Sequence, residues 1–179
     1  DRKHGRTQFN KSEKENKTWD TIIPTQLYFN ELSRVSKNQI IWGGNYFPLP
    51  PTRCILCWDK QQYMPSFSQW EMAWTSFTYP AKLVKINNGT GDKIHPTAKP
   101  VALYKWLLSH YAKPGDRILD THGGSGSICI ACHDLGYDLT WIELDADYYA
   151  AAVERYQLHA AQGQLFAPDQ TKYIQEDLI

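Results

Sequence analysis

The sequence lacks an excess of charge of either sign, because 19 lysines and arginines balance 19 aspartates and glutamates among its 179 residues. No overall field therefore draws the protein to nucleic acid or to a membrane, and any such attraction must be local. It also lacks an apolar run near the roughly 18 residues that cross a bilayer, and no secretory signal opens it. We therefore expect a soluble, cytoplasmic protein without membrane contact.

Cysteine is scarce as well, since the chain has only four. They form two C-x-x-C pairs, Cys54/Cys57 and Cys129/Cys132, a spacing that can hold zinc. However, "CILCW" is typical of a buried strand, in which residues three apart point to opposite faces. "SICIACHDLG" is typical of a helix packed on a core. We predict no metal and treat the thiols as small buried apolar groups, with a zinc site as the alternative.

Internal repeats and linkers are absent, whereas 42% hydrophobic residues and seven tryptophans indicate a folded globule. We predict one α/β domain over residues 20–162, with a polar loop before it and a tail after it. Its predicted parts are a first half over 20–80, a loop over 81–99 and a second half over 100–162, flanked by the loop 1–19 and the tail 163–179.

Hydrophobic periodicity predicts a helix from about Pro24, then three apolar strands in "NQIIWGGNYF", "RCILCWDK" and "EMAWTSF". From Val101 the order becomes helix, strand "RILD", helix, strand "YDLTWIEL" and a last helix that Asp145 opens in the N-cap position. Strands that alternate with helices predict an α/β fold with a doubly wound, mostly parallel, Rossmann-like sheet.

A glycine-rich turn, "RILDTHGGSGSI", joins a predicted strand to a predicted helix. Gly123, Gly124 and Gly126 allow the backbone to approach a ligand, and the helix N-terminus adds partial positive charge. Glu143 follows Asp120 by 143 − 120 = 23 positions, at the predicted tip of the next strand, where an acid can bind the two hydroxyls of a ribose. The pattern predicts an adenosine-containing cofactor, unless Glu143 merely faces solvent.

Two cofactor classes compete for this turn. A dinucleotide fingerprint needs G-x-G-x-x-G, but the third glycine position, counted from Gly124, is Cys129. Asp120 would also repel a diphosphate, whereas the ammonium and sulfonium of S-adenosylmethionine are cationic. We therefore favour S-adenosylmethionine on charge and keep a nucleotide-dependent oxidoreductase as the alternative.

The run "HPTAKPVALYKWLLSHYAKPGDRILDTHGGSGSICIACHDLGYDLTWIELDADYY" resembles the permuted, β-class amino-methyltransferases that act on DNA. That family places a histidine-proline-threonine-x-lysine-proline signature, the cofactor strand and turn, and an acidic strand in this order. "NQIIWGGNYFPLPPTRCILCWDK" and "EMAWTSF" resemble the middle of phage and prophage DNA adenine N6 methylases. The resemblance covers roughly residues 5 to 160.

The resemblance implies S-adenosylmethionine as cofactor, double-stranded DNA as partner, and a methyl transfer to an exocyclic amino group, adenine N6 before cytosine N4. It also implies that His95, Thr97 and Lys99 belong to the segment that closes over the methionine end of the cofactor. The cofactor turn is Asp120, Gly123, Gly124, Ser125 and Gly126, with Glu143 on the ribose and Asp145 near the adenine. Outside this context, "HPTAKP" is more typical of a proline-braced loop before a helix.

The catalytic signature of the family, an aspartate, asparagine or serine followed by two prolines and an aromatic residue, is absent. "LPPT" at 49–52 has leucine before the prolines and threonine after them. We expect the catalytic residues upstream of Asp1, so that cofactor binding survives in this chain while turnover requires residues it lacks. A non-catalytic cofactor- or DNA-binding fragment is therefore a second candidate function.

Two further regions are candidates for DNA contact. In "WGGNYF", Asn45 can bond a base edge and Trp42 or Tyr46 can stack on a flipped base, although core aromatics beside a tight turn give the same pattern. In the loop 1–19, basic side chains can contact phosphate or simply be solvated. These side chains are Arg2, Lys3, Arg6 and Lys11.

Overall fold

The computed structural model describes residues 23–63, 67–89 and 94–162. Within these ranges, helices α1 to α4 are Gln26–Val35, Val101–Tyr111, Ser127–Leu135 and Ala146–Ala161. Strands β1 to β6 are Ile40–Trp42, Ile55–Asp59, Trp70–Thr75, Lys82–Lys85, Arg117–Asp120 and Asp138–Trp141, and a short 3-10 turn covers Gly44–Tyr46.

The first half of the chain forms a four-stranded mixed sheet in the order β1-β3-β2-β4. Strand β3 pairs antiparallel with β1 and with β2, while β4 pairs parallel with β2. On β2 the side chains alternate, so that Leu56 and Trp58 are buried while Ile55 is exposed. This alternation puts the apolar face of the sheet against α2.

The prediction of a single, doubly wound and mostly parallel sheet needs correction, although the α/β class holds. The second half has a separate two-stranded sheet in which β5 and β6 run parallel. No helix of the described residues lies between β2, β3 and β4. Consecutive strands that no crossover helix separates can form antiparallel pairs through a short turn. The alternation of strand and helix that predicted a parallel sheet therefore applies only after Val101. Strand β4 also lies inside the segment predicted as a loop.

Local signals set the ends of the helices in the second half. Pro100 precedes α2, where its missing N–H is not needed. Gly136 ends α3 with φ of 73°, in the left-handed conformation that glycine adopts without strain. The Asp145 carboxylate caps α4 by accepting from the backbone N–H groups of Asp147 and Tyr148 at 3.0 and 3.1 Å. The predicted N-cap is confirmed.

Helix α2 connects the two sheets. Its Leu103 and Leu107 pack with Leu56 and Trp58 in the core of the first sheet. Leu108, on the neighbouring side of the same helix, packs with Ile128 of α3 in the second core cluster. Burial of large apolar side chains of this kind contributes about 1.5–3 kcal/mol each. The orientation of the glycine turn relative to the first sheet therefore depends on α2.

None of the helices in the described residues has both the length and the apolar character needed to cross a bilayer.

Candidate functional site

The glycine turn lies between the end of β5 and the start of α3, as the sequence predicted. Gly123, Gly124, Ser125 and Gly126 are all buried. Gly124 and Gly126 have φ of 52° and 68°, which excludes other residues without strain. The turn and Asp120 line a cavity of about 600 Å³.

Residue 123 must be glycine because another side chain of the protein occupies the space that a Cβ would need. A Cβ on residue 123 would lie 1.3 Å from Nε1 of Trp141, at the end of β6. The Trp141 indole stacks on Tyr149 of α4 with ring centroids 4.9 Å apart. Its buried N–H has no hydrogen-bond acceptor among the described residues. Trp141 was not predicted as part of the site, because nothing in its local sequence indicates this contact.

Glu143 lies two residues past the end of β6 rather than inside it, because the strand ends at Trp141. Its carboxylate accepts from the backbone N–H of Gly124 at 2.7 Å and of Asp145 at 2.9 Å. The predicted ribose-binding acid thus also holds the glycine turn against the start of α4. A carboxylate has about four lone-pair positions, so acceptor capacity remains for a ligand.

Asp120 ends β5 and its Oδ1 accepts from the backbone N–H of His122 at 2.9 Å. Burial raises the pKa of this carboxyl above its ordinary value. The His122 N–H, the His122 ring and the Lys99 ammonium oppose that shift, while Glu143 adds to it. Two acids therefore flank the turn, and their mutual repulsion is relieved when a cation binds between them.

The three residues that were predicted to close over the methionine end of the cofactor line the same cavity, although they differ in their contacts. His95 is buried, packs on Tyr148 of α4 at 4.4 Å and would lie 3.5 Å from a Cβ on Gly124. Thr97 is exposed, and its hydroxyl is 3.0 Å from Nδ1 of His95. The histidine thus packs directly on the glycine turn.

Lys99 contacts the first sheet. Its Nζ is 3.1 Å from Oε2 of Glu71 and 5.2 Å from the centroid of Trp42. Burial raises the pKa of Glu71, but the ammonium groups of Lys99 and Lys60 outweigh this effect and hold the pKa below its ordinary value. Lys60 Nζ lies 2.6 Å from Oε1 of the same carboxylate. The lysine of the "HPTAKP" segment therefore fastens that segment to β3.

Arg155 of α4 is a site residue that the sequence interpretation missed. Its Nη1 donates to the backbone carbonyl of Ser125 at 2.8 Å and to the hydroxyl of Ser127 at 2.9 Å. Arg155 follows the buried Tyr148 and Ala152 at positions i+7 and i+3, on one helical face. This position on the buried face of α4 is the sequence signal that could have identified Arg155.

The residues that were predicted to form a base pocket do not all line the cavity. Trp42 lines the cavity and packs edge-on against Trp58, with centroids 6.1 Å apart. Asn45 and Tyr46 are exposed in the 3-10 turn and do not line it. Gly44 is needed there because a Cβ would lie 2.4 Å from Cβ of Trp74, so this glycine permits packing within the sheet.

The four cysteines are free thiols. Cys54 belongs to the core cluster of the first sheet, whereas Cys129 and Cys132 belong to the second cluster. Cys54 is fully buried and Cys57 faces the other side of the sheet, as predicted. Burial raises the pKa of Cys129 to about 11 and that of Cys132 to about 12, so both thiols stay protonated at neutral pH. Among the described residues, the grouping with metal-ligand potential is instead His133, Asp134 and His159.

The predictions for residues 1–19 and 163–179 lie outside the described residues. This concerns the proposed phosphate contacts of four basic side chains, which are Arg2, Lys3, Arg6 and Lys11.

Comparison with known proteins identifies the family. The sequence pattern of the N6/N4 methyltransferase family, described as DNA methylase, matches residues 2–154. This chain belongs to that family. The resemblance to the DNA amino-methyltransferases that the sequence showed is confirmed at the level of the family.

Individual relatives match shorter parts of the chain than the family pattern does. A stretch of 66 residues is 36% identical to YubD of Escherichia coli (strain K12), which is named as a methylase, and covers 37% of this chain and 29% of that protein. Ribosomal protein L11 methyltransferase of Staphylococcus carnosus (strain TM300) is 26% identical in an alignment 172 positions long, which covers 80% of this chain and 53% of that protein. The chain thus spans about half or less of the length of these relatives.

Among solved structures, the M1.HpyAVI–SAM complex has a TM-score of 0.49 and 26% identity, and the match covers 56% of this chain and 60% of that one. The cytosine-N4-specific PvuII DNA methyltransferase has a TM-score of 0.45 and 16% identity, with 60% and 55% covered.

Proposed function

We propose that this chain holds S-adenosylmethionine at its glycine turn for methyl transfer to an exocyclic amino group of a base in double-stranded DNA. Adenine N6 is the preferred target and cytosine N4 the alternative, a preference that rests on the sequence resemblance alone. When bound, the cofactor supplies a methyl group on a cationic sulfur.

The observation that supports this proposal is the pair of acids around a buried glycine turn. Asp120 has a raised pKa, and Glu143 is bonded to the N–H of Gly124 at 2.7 Å. A pyrophosphate at this position would add negative charge to two carboxylates, whereas an ammonium or sulfonium offsets them. The two carboxylates therefore disfavour a dinucleotide.

The residues around the turn have distinct proposed roles. Asp120 accepts from the ammonium of the cofactor, and Glu143 uses its remaining lone pairs for the ribose hydroxyls. Ile142 and Leu144, which flank Glu143, are 50% and 92% exposed and provide apolar surface for a purine. His95 and Thr97, which line the same cavity, have the proposed role of covering the methionine end of the cofactor. The proposed role of Trp42 is to stack on an extruded base.

A thermal-shift comparison tests the cofactor class. A ligand at 100 times its dissociation constant stabilises the folded protein by about 2.7 kcal/mol. We expect S-adenosylmethionine to raise the melting temperature and NAD to leave it unchanged. A shift with NAD and none with S-adenosylmethionine would reverse the assignment.

Substitution of Glu143 tests the site itself. We expect Glu143→Ala to weaken cofactor binding by about 1.5–3 kcal/mol, the usual worth of a hydrogen bond to a charged group. Isothermal titration measures the affinity, and Glu154→Ala on the exposed side of α4 is the matched control. Equal affinities for the two variants would remove Glu143 from the site.

A non-catalytic cofactor- or DNA-binding role is the second candidate, favoured by the absence of the proline-pair signature from the sequence. An exocyclic amino nitrogen is a weak nucleophile, and acceptors for its two hydrogens must direct its lone pair at the methyl group. We expect this chain alone to bind labelled cofactor without methylating unmodified DNA. Robust transfer of label would exclude this second role.

DNA contact by the loop 1–19 predicts salt-sensitive binding, because each neutralised phosphate releases counterions. Affinity for duplex DNA should fall between low and moderate salt. Replacing four side chains with glutamine should flatten this dependence, namely Arg2, Lys3, Arg6 and Lys11. A salt-independent affinity would contradict phosphate contact by this segment.

A further inference from the structure

Two histidines and an aspartate meet where α3 and α4 end. His133 and Asp134 lie in the last turn of α3, and His159 lies in the last turn of α4. One potential ligand atom from each residue lies within 4.8 Å of those from the other two. None of the three residues lines the cavity at the glycine turn. The cluster is therefore a separate feature, which the proposed methyl transfer does not use.

The spacing of these atoms suits a metal ion. Oδ1 of Asp134 lies 3.2 Å from Nδ1 of His133 and 2.7 Å from Nε2 of His159. In a tetrahedral zinc site with bonds of about 2.0–2.1 Å, neighbouring ligand atoms are about 3.3 Å apart. Small rotations of the side chains therefore suffice to place both imidazoles and the carboxylate around one ion.

The carboxylate of the cluster is fixed by contacts within the protein. Asp134 is only 8% exposed, and its Oδ2 lies 2.7 Å from Nζ of Lys105 on α2. The other oxygen, Oδ1, faces both imidazoles. The ring of His133 packs edge-on against Tyr156 of α4, with centroids 5.7 Å apart. Side chains that are already ordered lose little conformational entropy when they bind a ligand.

The imidazoles make the cluster accessible and adaptable. The side chains of His133 and His159 are 35% and 33% exposed, so solvent reaches this edge of the cluster. A neutral imidazole has one N–H and one lone pair, and either ring nitrogen can hold the hydrogen. With hydrogens on the nitrogens that face Asp134, the cluster forms hydrogen bonds. With lone pairs there instead, it presents three acceptors to a cation.

The ligand atoms favour zinc and neighbouring transition metals. Imidazole nitrogen suits zinc, copper and nickel, whereas magnesium and calcium prefer oxygen ligands throughout. Three protein ligands leave a fourth position for water. The Lys105 ammonium, 2.7 Å from Oδ2 of Asp134, repels a cation at Oδ1 and so lowers its affinity.

We propose that His133, Asp134 and His159 bind one divalent transition-metal ion of the zinc class, which fastens the end of α3 to the end of α4. The ligand atoms are Nδ1, Oδ1 and Nε2 of these residues, in that order, and water completes the coordination. The sequence prediction of no metal considered the cysteine pairs, and these three ligands come together only through the packing of α3 on α4. The site does not depend on the proposed function.

Calorimetric titration of the full 179-residue chain with zinc chloride, in chelator-treated buffer without cofactor, tests the site. We expect zinc to bind and magnesium chloride to give no binding heat. His159→Ala should weaken zinc binding at least about tenfold, because loss of even an indirect partner of a metal commonly costs that much. His110→Ala, at an exposed position of α2 outside the cluster, is the matched control. Equal affinities of His159→Ala and this control would overturn the proposal.

Lys105→Met separates a metal site from a network of hydrogen bonds. Loss of the ammonium leaves the whole charge of the Asp134 carboxylate for the ion, so we expect zinc to bind several-fold more tightly. Without zinc, the same variant should melt at a lower temperature, because Asp134 loses a charged donor. Unchanged or weaker zinc binding by Lys105→Met would overturn the proposed set of ligands.

Cobalt(II) in place of zinc identifies the type of ligand in the unaltered chain, so this test does not require that a variant folds. Nitrogen and oxygen ligands give visible d–d absorption, whereas thiolates add intense charge-transfer absorption in the near ultraviolet. We expect d–d absorption alone, and its loss in His133→Ala. Thiolate absorption would place the metal at the cysteine pairs and overturn the proposal. Because S-adenosylmethionine is absent from these experiments, their outcome is independent of the tests of the proposed function.

Discussion

Asp120 combines a structural disadvantage with a proposed binding role. Because burial raises its folded-state pKa, its favourable contribution to stability is present below the unfolded pKa and is lost as the pH rises through the folded value. At neutral pH the carboxylate therefore destabilises the cofactor-free protein. Such a cost is typical of residues that are positioned for a ligand.

Asp120→Asn tests this trade-off. The amide oxygen can still accept from the His122 N–H, so we expect a higher melting temperature without cofactor at neutral pH. The difference from the wild type should shrink as the pH falls below the raised pKa. Affinity for S-adenosylmethionine should drop, and its decrease towards acid pH in the wild type should disappear. A lower melting temperature of the cofactor-free variant would show that the carboxylate does not destabilise the protein.

Single residues of the site were predictable when their signal was local. Asp120, Glu143 and the glycines follow a spacing along the chain that the sequence displays. Trp141 and Arg155 become site residues only through packing across β6, α3 and α4, which no local pattern specifies. The sequence also did not reveal that Glu143 bonds the backbone of Gly124, since that contact depends on the register of β5 and β6.

At the scale of elements, α4 fastens the start of α3 through Arg155. We expect Arg155→Met, which keeps most of the apolar stem, to lower the free energy of unfolding by about 1–3 kcal/mol because the buried carbonyl of Ser125 loses its donor. Urea denaturation measures the loss. Arg34→Met, which breaks a fully exposed pair with Glu31 on α1, should change stability much less than Arg155→Met does. Similar losses in both variants would argue against this bracing role.

The carboxylate of Asp134 connects three helices. Its oxygens lie 2.7 Å from Lys105 Nζ of α2 and 2.7 Å from His159 Nε2 of α4, with His133 Nδ1 at 3.2 Å. Burial raises the pKa of Asp134, but these donors outweigh it and hold the pKa well below its ordinary value. The stabilisation is therefore present above the unfolded pKa, about 4, and is lost as the pH falls.

We expect Asp134→Asn to lower the free energy of unfolding at pH 7 by about 1–3 kcal/mol, because Lys105 loses its charged acceptor. The difference from the wild type should diminish in acid, as both proteins then lack the carboxylate. Urea melts across this pH range measure it, with the exposed Asp138→Asn as control. A pH-independent difference would point to a packing effect instead.

Helices were predicted more accurately than sheets. Each of α2, α3 and α4 has a start or stop signal beside it in the chain: Pro100, Gly136 and Asp145. Strand order depends on pairings between distant segments, and the sequence displays neither the antiparallel place of β3 nor the strand β4. The burial alternation was visible, but the partner of each strand was not.

At the scale of the whole molecule, the two sheets should differ in stability. The four-stranded sheet has a contiguous core with α2, whereas β5 and β6 form a two-stranded pair, which is only marginally stable without further packing. We expect amides of β2 and β3 to exchange at least about tenfold more slowly than those of β5 and β6. Hydrogen exchange on the cofactor-free chain measures this, and uniform protection would contradict it.

The contact between Gly123 and Trp141 makes the turn optically observable. An indole stacked on Tyr149, with its N–H shielded from solvent, emits at shorter wavelength than an exposed one. Binding of the proposed cofactor beside residue 143 should change the surroundings of this indole. The difference spectrum between the natural chain and Trp141→Phe isolates that emission from the other tryptophans. Occupancy of the turn can therefore be followed in real time without labels.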